Sequence, residues 1–346
     1  MTAIESGAIK SSVEKRTLRN FWIWSAQHPA IFPLILIVIT CLTVGSLNPD
    51  FWQLANLFDI LRASVVHGLF ALGVLVVLAS GGLDVSFTAI AAFVMYTLTL
   101  FVVNVMPNLG ILPIFSIAVI VGGGLGALNG MLVNCLRAPA LIVTIGTQYI
   151  LRGFLLTFVG TALFMNIPSS MSAFGKFSLI TVTTESGLTV DLPLYFLVLV
   201  IAVAMTWWLL NNTLIGRAIF AVGRKPDIAE RLGYRVKQVR VFVFAYAGML
   251  AGVAGVLHVS SNRLANPFDL AGSELAVIAA VVLGGARITG GMGTVMGTMM
   301  GVILITLVSN VLILVGIPSA WQTAILGAFI LMAGLFFAQL DRLALK

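Results

Sequence analysis

Apolar runs long enough to cross a bilayer recur along nearly the whole chain, and this pattern constrains the fold more than any single motif. At about 20 residues per crossing, such runs fall near residues 29–47, 62–80, 86–105, 111–134, 140–160, 192–210, 240–260, 292–315 and 320–340. Hydrophobic residues make up 60% of the 346 and charged residues 9%, which excludes a soluble globular domain, where about a quarter of residues are charged. The expected class is all-α, a polytopic membrane protein. A tenth apolar stretch, 271–288, is short and holds Glu274 and Arg287. Its apolar part would be only about 20 Å long at 1.5 Å per residue, against about 30 Å of hydrocarbon. Such a helix must be broken, re-entrant or buried by neighbours.

The charges orient the spans. Ten crossings with both ends inside put fifteen of the nineteen basic residues in the cytoplasm, leave Arg62, Lys176 and Arg263 outside, and keep Arg152 within a span. Nine crossings would move Arg342 and Lys346 outside, against the bias of basic residues toward the cytoplasm. The net charge of +7 therefore reflects topology and gives no support to nucleic-acid binding. The expected organisation is a cytoplasmic tail at 1–28, one transmembrane domain at 29–340 with an outer loop at about 161–191 and a basic inner segment at 211–240, and a cytoplasmic tail at 341–346. Lys10, Lys15, Arg16 and Arg19 precede the first apolar run, but no small-residue cleavage site follows it. Cys41 and Cys135 have no metal-ligand or disulfide spacing.

The inner segment carries Arg217, Arg224, Lys225, Arg231, Arg235, Lys237 and Arg240 against Asp227 and Glu230. Within it, Lys225-Pro226-Asp227-Ile228-Ala229-Glu230-Arg231-Leu232-Gly233 predicts a short helix, with Pro at its first position and Gly just past its end. Ile228, Ala229 and Leu232 are expected on one face, and Asp227, Glu230 and Arg231 on the other. A short amphipathic helix between two spans suggests a docking surface, and a solvated loop that only fixes topology is the plainer reading.

No G-x-x-x-x-G-K-[ST] phosphate loop occurs, since the one Gly-Lys pair, Gly175-Lys176, is followed by Phe177. There is no H-E-x-x-H and no G-x-S-x-G, and three scattered histidines form no metal or nucleophile set. An intramembrane enzyme is not expected. What remains are ionisable groups at membrane depth, where charge is costly and calls for a role. Asp84, in Gly81-Gly82-Leu83-Asp84-Val85-Ser86, is placed to cap the next helix. Glu274 opens the short segment, where the helix dipole favours a carboxylate, and is also a candidate gate. Arg152 must find acceptors on other helices. Phe93, Asn129, Thr144, Gln148 and Glu274 are candidates to hydrogen-bond or stack on a polar solute, each with the alternative of an ordinary helix–helix contact. Gly284 and Gly285 end an apolar run, and Gly290, Gly291, Gly293, Gly297 and Gly301 read as a small-residue packing face.

Taken in order, four stretches resemble one family. They are Gly81 to Ser86; Asn129-Gly130 with Pro139-Ala140-Leu141-Ile142-Val143-Thr144-Ile145-Gly146-Thr147; Thr213-Leu214-Ile215-Gly216-Arg217 leading to Ala221-Val222-Gly223; and Gly272-Ser273-Glu274-Leu275 through Gly284-Gly285 to Gly290-Gly291-Met292-Gly293. Over roughly Val65 to Ala338 the chain resembles the permease subunit of bacterial monosaccharide importers of the ATP-binding-cassette type, in the ribose/xylose/arabinose/galactose-like branch of the binding-protein-dependent permeases. The resemblance implies a permease that pairs with a second copy or close paralogue in the inner membrane. It implies an ATPase subunit docking on the cytoplasmic face and a periplasmic binding protein delivering the solute. ATP and magnesium would then belong to the partner, with no cofactor in this chain. Against the family pattern, Lys225 stands for Asn, Ile228-Ala229 for an Ala-Ala pair, Leu232 for Ser and Ala276 for Asp, while Arg287 replaces a small polar residue. The resulting expectation is half of an import pathway for a small polar solute, driven through residues 224–233. The alternative is a stand-alone secondary transporter coupled to protons through Asp84 and Glu274.

Overall fold

The structure, a computed structural model, describes residues 30–183 and 189–314 together with scattered positions between 316 and 334. The expected tails and much of the last expected crossing lie outside the described residues. Helix α1 (Ile31–Leu47) is followed by a 3-10 turn at Pro49–Trp52, then α2 (Leu54–Ala79), α3 (Phe87–Val105), α4 (Ile111–Leu136) and α5 (Ala140–Phe154), which runs on through a π turn at Leu155–Val159. The connection after it holds α6 (Ser169–Lys176) and an antiparallel hairpin of β1 (Ser178–Thr183) and β2 (Thr189–Pro193). Then come α7 (Phe196–Asn212), α8 (Leu214–Arg224), α9 (Pro226–Arg231), α10 (Val236–Asn262), α11 (Glu274–Leu283) and α12 (Val295–Leu314).

Six helices among the described residues are long and apolar enough to cross a membrane, and a seventh span arises if α7 and α8 count as one element bent by 73°. At 17 residues α1 falls just short, and α11 has ten residues, or about 15 Å of helix. α2 starts at Leu54, eight residues before the expected apolar run, and so includes Asp59 and Arg62. These two pair at 3.6 Å one turn apart, and Arg62 also donates to the Asp191 backbone carbonyl at 2.9 Å. The helix thus extends past its apolar stretch because its charged turn is satisfied by itself and by the hairpin.

From Leu69 to Ala79, α2 has no polar face, and a helix that is apolar all round belongs in an interior. It runs through the middle of the fold, with α10, α12, α11 and α7 packed around it. Lipid tails are as apolar as Leu, so helices here are held by close backbone approach more than by hydrophobic force. The most extensive helix pair, α4 with α10, shows how. Gly122, Gly126 and Gly130 line one face of α4, and a Cβ at the first two would collide with the carbonyl oxygens of Gly248 and Phe244. Gly248 and Gly252 on α10 press back on Gly122 and Ala118. The face Gly284, Gly297 and Gly301 does the same between α11 and α12, where side chains at Gly297 and Gly301 would strike the Gly284 and Ala280 carbonyls.

Gly124 provides an internal control, because a Cβ there meets no described residue within 4 Å. Gly126→Leu is expected to lower the melting temperature in detergent by several degrees, in line with an overpacking cost of about 1–3 kcal/mol or more. Gly124→Leu, with the same gain in helix propensity, is expected to leave it unchanged. Equal melting temperatures would remove the close-approach account of this pair.

Candidate functional site

Two polar groups lie where the α2–α3 break, α4, α5 and α11 meet. The first is centred on Glu274, the first residue of α11. Its Oε1 accepts from Thr88 Oγ1 on α3 at 2.5 Å, from Gln148 Nε2 on α5 at 2.7 Å and from Arg152 Nη2 on α5 at 2.6 Å. Arg152 Nη2 also donates to Thr88 Oγ1 at 3.1 Å. The Glu274 side chain is 11% exposed and that of Arg152 26%, so the pair sits at the margin of the packed interior. Thr144, Gln148 and Arg152 recur every four residues, which puts them on one side of α5. The other side bears exposed Ile142, Tyr149 and Ile150, and Phe154 lies tilted against Phe93 and Phe158 at centroid distances of 6.1 and 5.0 Å.

The second group starts at the break itself. Asp84 Oδ1 accepts from the Ser86 backbone N–H at 2.8 Å and from Ser86 Oγ at 2.6 Å, while Asn129 Nδ2 on α4 donates to Ser86 Oγ at 2.7 Å. Thr144 Oγ1 accepts from the Val85 N–H at 3.4 Å and donates to the Leu83 carbonyl at 3.3 Å. The cap residue of α3 is therefore Ser86, which makes no side-chain cap bond, and Asp84 binds that residue instead of the helix. The expected cap is corrected in this respect: the helix starts at Phe87, and the Asp84 carboxylate bonds the Ser86 amide, one residue short of it. Asp84 Oδ2 is buried without a partner among the described residues.

These contacts gather the sequence candidates into two sets. Gln148 and Glu274 share one and Asp84, Asn129 and Thr144 the other, while Phe93 is not brought into either and packs on Phe154. Thr88 and Ser86 were not singled out in the sequence, because hydroxyls in apolar runs usually bond the preceding turn. Arg152 and Glu274 pair across 122 residues, and the sequence signals only that a guanidinium at membrane depth needs acceptors on other helices.

A different arrangement forms around residues 224–233. Thr213 caps α8 by accepting from the Gly216 N–H at 3.0 Å. Pro226 begins α9 and Gly233, at φ +91°, closes it, with Gly233 N–H on the Glu230 carbonyl and Tyr234 N–H on the Ala229 carbonyl, the paired bonds of a glycine helix stop. The expected common face of Ile228, Ala229 and Leu232 divides. Ala229 is buried at 1%, whereas Ile228 is 48% exposed and Leu232, beyond the last helical turn, is 72% exposed. The small Ala methyl fits against the protein where the larger chains do not, and they project with Lys225, Asp227, Glu230 and Arg231, all exposed. Gly223 joins this element to the core, since a Cβ there would collide with the Ala79 carbonyl and lie 2.6 Å from the Gly291 amide. Gly290, at φ +89°, leaves equally little room against Gly81, and the Gly291 N–H donates to the Ala79 carbonyl at 3.0 Å. The ends of α2 and α8 and the loop after α11 thus meet backbone to backbone. In that loop Gly285 turns at φ +89° and Gly293 abuts Leu75.

At the opposite end of α10, Arg62, Lys176 and Arg263 line one cleft of about 390 Å³ with Asp191. Among the described residues no cluster of three or more His, Cys, Asp or Glu could hold a metal ion.

A family model described as "Branched-chain amino acid transport system / permease component" matches residues 56–334. The ribose import permease protein of Haemophilus influenzae is 31% identical over 300 residues, covering 86% of this chain and 90% of that protein. That of Escherichia coli K12 is 30% identical over 320 residues, or 92% and 95% of the two chains. The autoinducer 2 import system permease protein of Yersinia pseudotuberculosis is 29% identical over 303 residues, covering 86% and 81%. No solved structure matches.

Removing one partner of a buried ion pair leaves the other charge uncompensated, at about 3–5 kcal/mol when both are fully buried. The partial exposure of Arg152 should reduce that to about 2 kcal/mol. Arg152→Met is therefore expected to melt earlier than the double variant Arg152→Met/Glu274→Met. A double variant destabilised by the sum of the two single changes would show that the pair is not coupled.

Proposed function

This chain belongs to the branched-chain amino acid transport system permease component family, and from that membership we propose that it forms half of an ATP-driven import pathway for a monosaccharide. It is a multi-pass membrane permease subunit, not an enzyme. Membership implies a separate ATPase and a substrate-binding protein as partners. We place it in the bacterial inner membrane with ten crossings and both termini in the cytoplasm, residues 211–240 facing inward and 161–191 outward. The second half of the pathway is another copy or a close paralogue. The sugar is inferred from the ribose and autoinducer 2 importers among its relatives and from the side chains on α3, α5 and α11, which offer hydroxyl, amide and paired charge instead of an isolated charge.

The observation that carries the reading is α9. It projects two large apolar side chains, Ile228 and Leu232, among charges, directly after α8, whose end is locked to the core at Gly223. A mobile loop would give way when pushed, whereas α9 continues from α8, which is braced against Ala79 and Gly291 and transmits displacement to the end of α2 and the loop after α11. Closure of the partner ATPase on α9 would then shift the population between pathway states without any change of affinity in this chain alone. Glu274 is engaged by three donors on α3 and α5, which fits a positioning role for α11 in this reading.

Ile228→Asp and Leu232→Asp are expected to abolish ATP-driven uptake in vesicles containing the whole transporter, by tenfold or more, without changing the melting temperature of the permease. Both positions are exposed, so unchanged uptake in the two variants would sink the docking role of α9.

A further inference from the structure

Arg137, Arg224, Lys237 and Arg240, with Asn134 and Thr289, surround a cleft of about 650 Å³, within the size range of small-molecule sites, about 300–1,000 Å³. Its wall includes Pro226 at the start of α9 but not the projecting Ile228 or Leu232. The described lining has no carboxylate, and among the described residues none of the four cations makes an ion pair. The bias of basic residues toward one membrane face accounts for cations on this side, but not for their convergence on one concavity. Arg137 and Arg224 close α4 and α8, where the helix dipole favours a cation. Lys237 lies in the first turn of α10, where the same dipole opposes one. Arg240 is half-buried, and its guanidinium makes no hydrogen bond among the described residues. Asn134 donates through Nδ2 to the Lys237 carbonyl at 2.9 Å, while its Oδ1 is buried without a donor among the described residues.

We propose that this cleft binds a phosphate-bearing anion, the cations holding its oxygens and Asn134 Oδ1 accepting from a hydroxyl of the ligand. Guanidinium and ammonium groups converging on one cleft suit a phosphomonoester, whose anionic oxygens each take a charge-assisted bond. The bound anion would bridge α8 and the start of α9 to α10 and to the turn at Gly81-Gly82. A consequence follows for transport: the ligand would oppose movement of the coupling element relative to the core. That consequence rests on the coupling role proposed above, whereas the binding does not.

The test uses the purified full-length chain in nanodiscs of phosphatidylcholine, titrated calorimetrically with inorganic phosphate and with a hexose phosphomonoester. A parallel arm measures retention of phosphatidic acid over phosphatidylcholine by native mass spectrometry. Saturable binding of the soluble phosphates assigns the site to a free metabolite, and selective retention of phosphatidic acid without it assigns the site to a lipid headgroup. In either case Lys237→Ala/Arg240→Ala is expected to weaken binding at least about tenfold, a loss of about 1.4 kcal/mol. Lys237→Arg/Arg240→Lys should restore it, and Arg231→Ala, outside the cleft, should leave it unchanged. If the alanine pair fails to fold, Arg137→Ala on the facing wall reads the same loss. The proposal is overturned if neither phosphate nor phosphatidic acid binds selectively, or if binding persists unchanged in a folded variant lacking these cations.

Discussion

Backbone-to-backbone contact at glycine is the constraint on which the structure depends. In a bilayer the helices gain little by hiding apolar side chains from lipid, so their cohesion comes from approach so close that no Cβ fits between them. Gly122, Gly126 and Gly248 hold α4 to α10, and Gly284, Gly297 and Gly301 hold α11 to α12. The same device at Gly223, Gly290 and Gly291 joins the end of α8 to the end of α2 and to the loop behind α11. A contact of backbones leaves no soft side chain to absorb a displacement. That is why this knot, more than the charge of the segment beyond it, makes α9 suited to carry motion.

The polar groups complement this packing. The close glycine contacts draw α11 and the α2–α3 break into the interior, and both elements begin or end there with backbone groups that need partners. At the break Asp84 and Thr144 meet that need by bonding the Ser86 and Val85 amides and the Leu83 carbonyl, whereas the cluster at the start of α11 joins Glu274 to side chains on α3 and α5. The charges of Glu274 and Arg152 are tolerated at this depth because they pair with each other and each takes a further hydrogen bond. The Glu274 cluster ties three elements, α3, α5 and α11, at a single oxygen, so that a change in the position of α11 has a discrete chemical cost.

Much of this was legible in the sequence because it depends on periodicity and local chemistry. The spans, the short segment at 271–288, the Pro226 start and the Gly233 stop of α9 all follow from residues within a few positions of each other. The arrangement across the fold was less legible. The small-residue pattern Gly122-Gly126-Gly130 is as regular as Gly293-Gly297-Gly301, yet nothing local says which helix a glycine face meets. The pairing of Arg152 with Glu274 spans 122 residues, and charge alone indicated only that each needed a partner. Ala229 and Ile228 are adjacent and both apolar, and only the contour of the neighbouring protein decides that one is buried and the other exposed. The hairpin at 178–193 forms from a Thr-rich stretch that reads as an irregular loop until Asp191 is seen to hold Arg62.

The central claim is that this chain moves its solute only when an ATPase acts on it from the α9 side. The most direct measurement is sugar uptake into proteoliposomes holding the permease with and without its ATPase, with the binding protein outside, ATP within and a protonophore added. The account predicts uptake that requires the ATPase and ATP and survives collapse of the proton gradient. Uptake by the permease alone that disappears with the protonophore would contradict it.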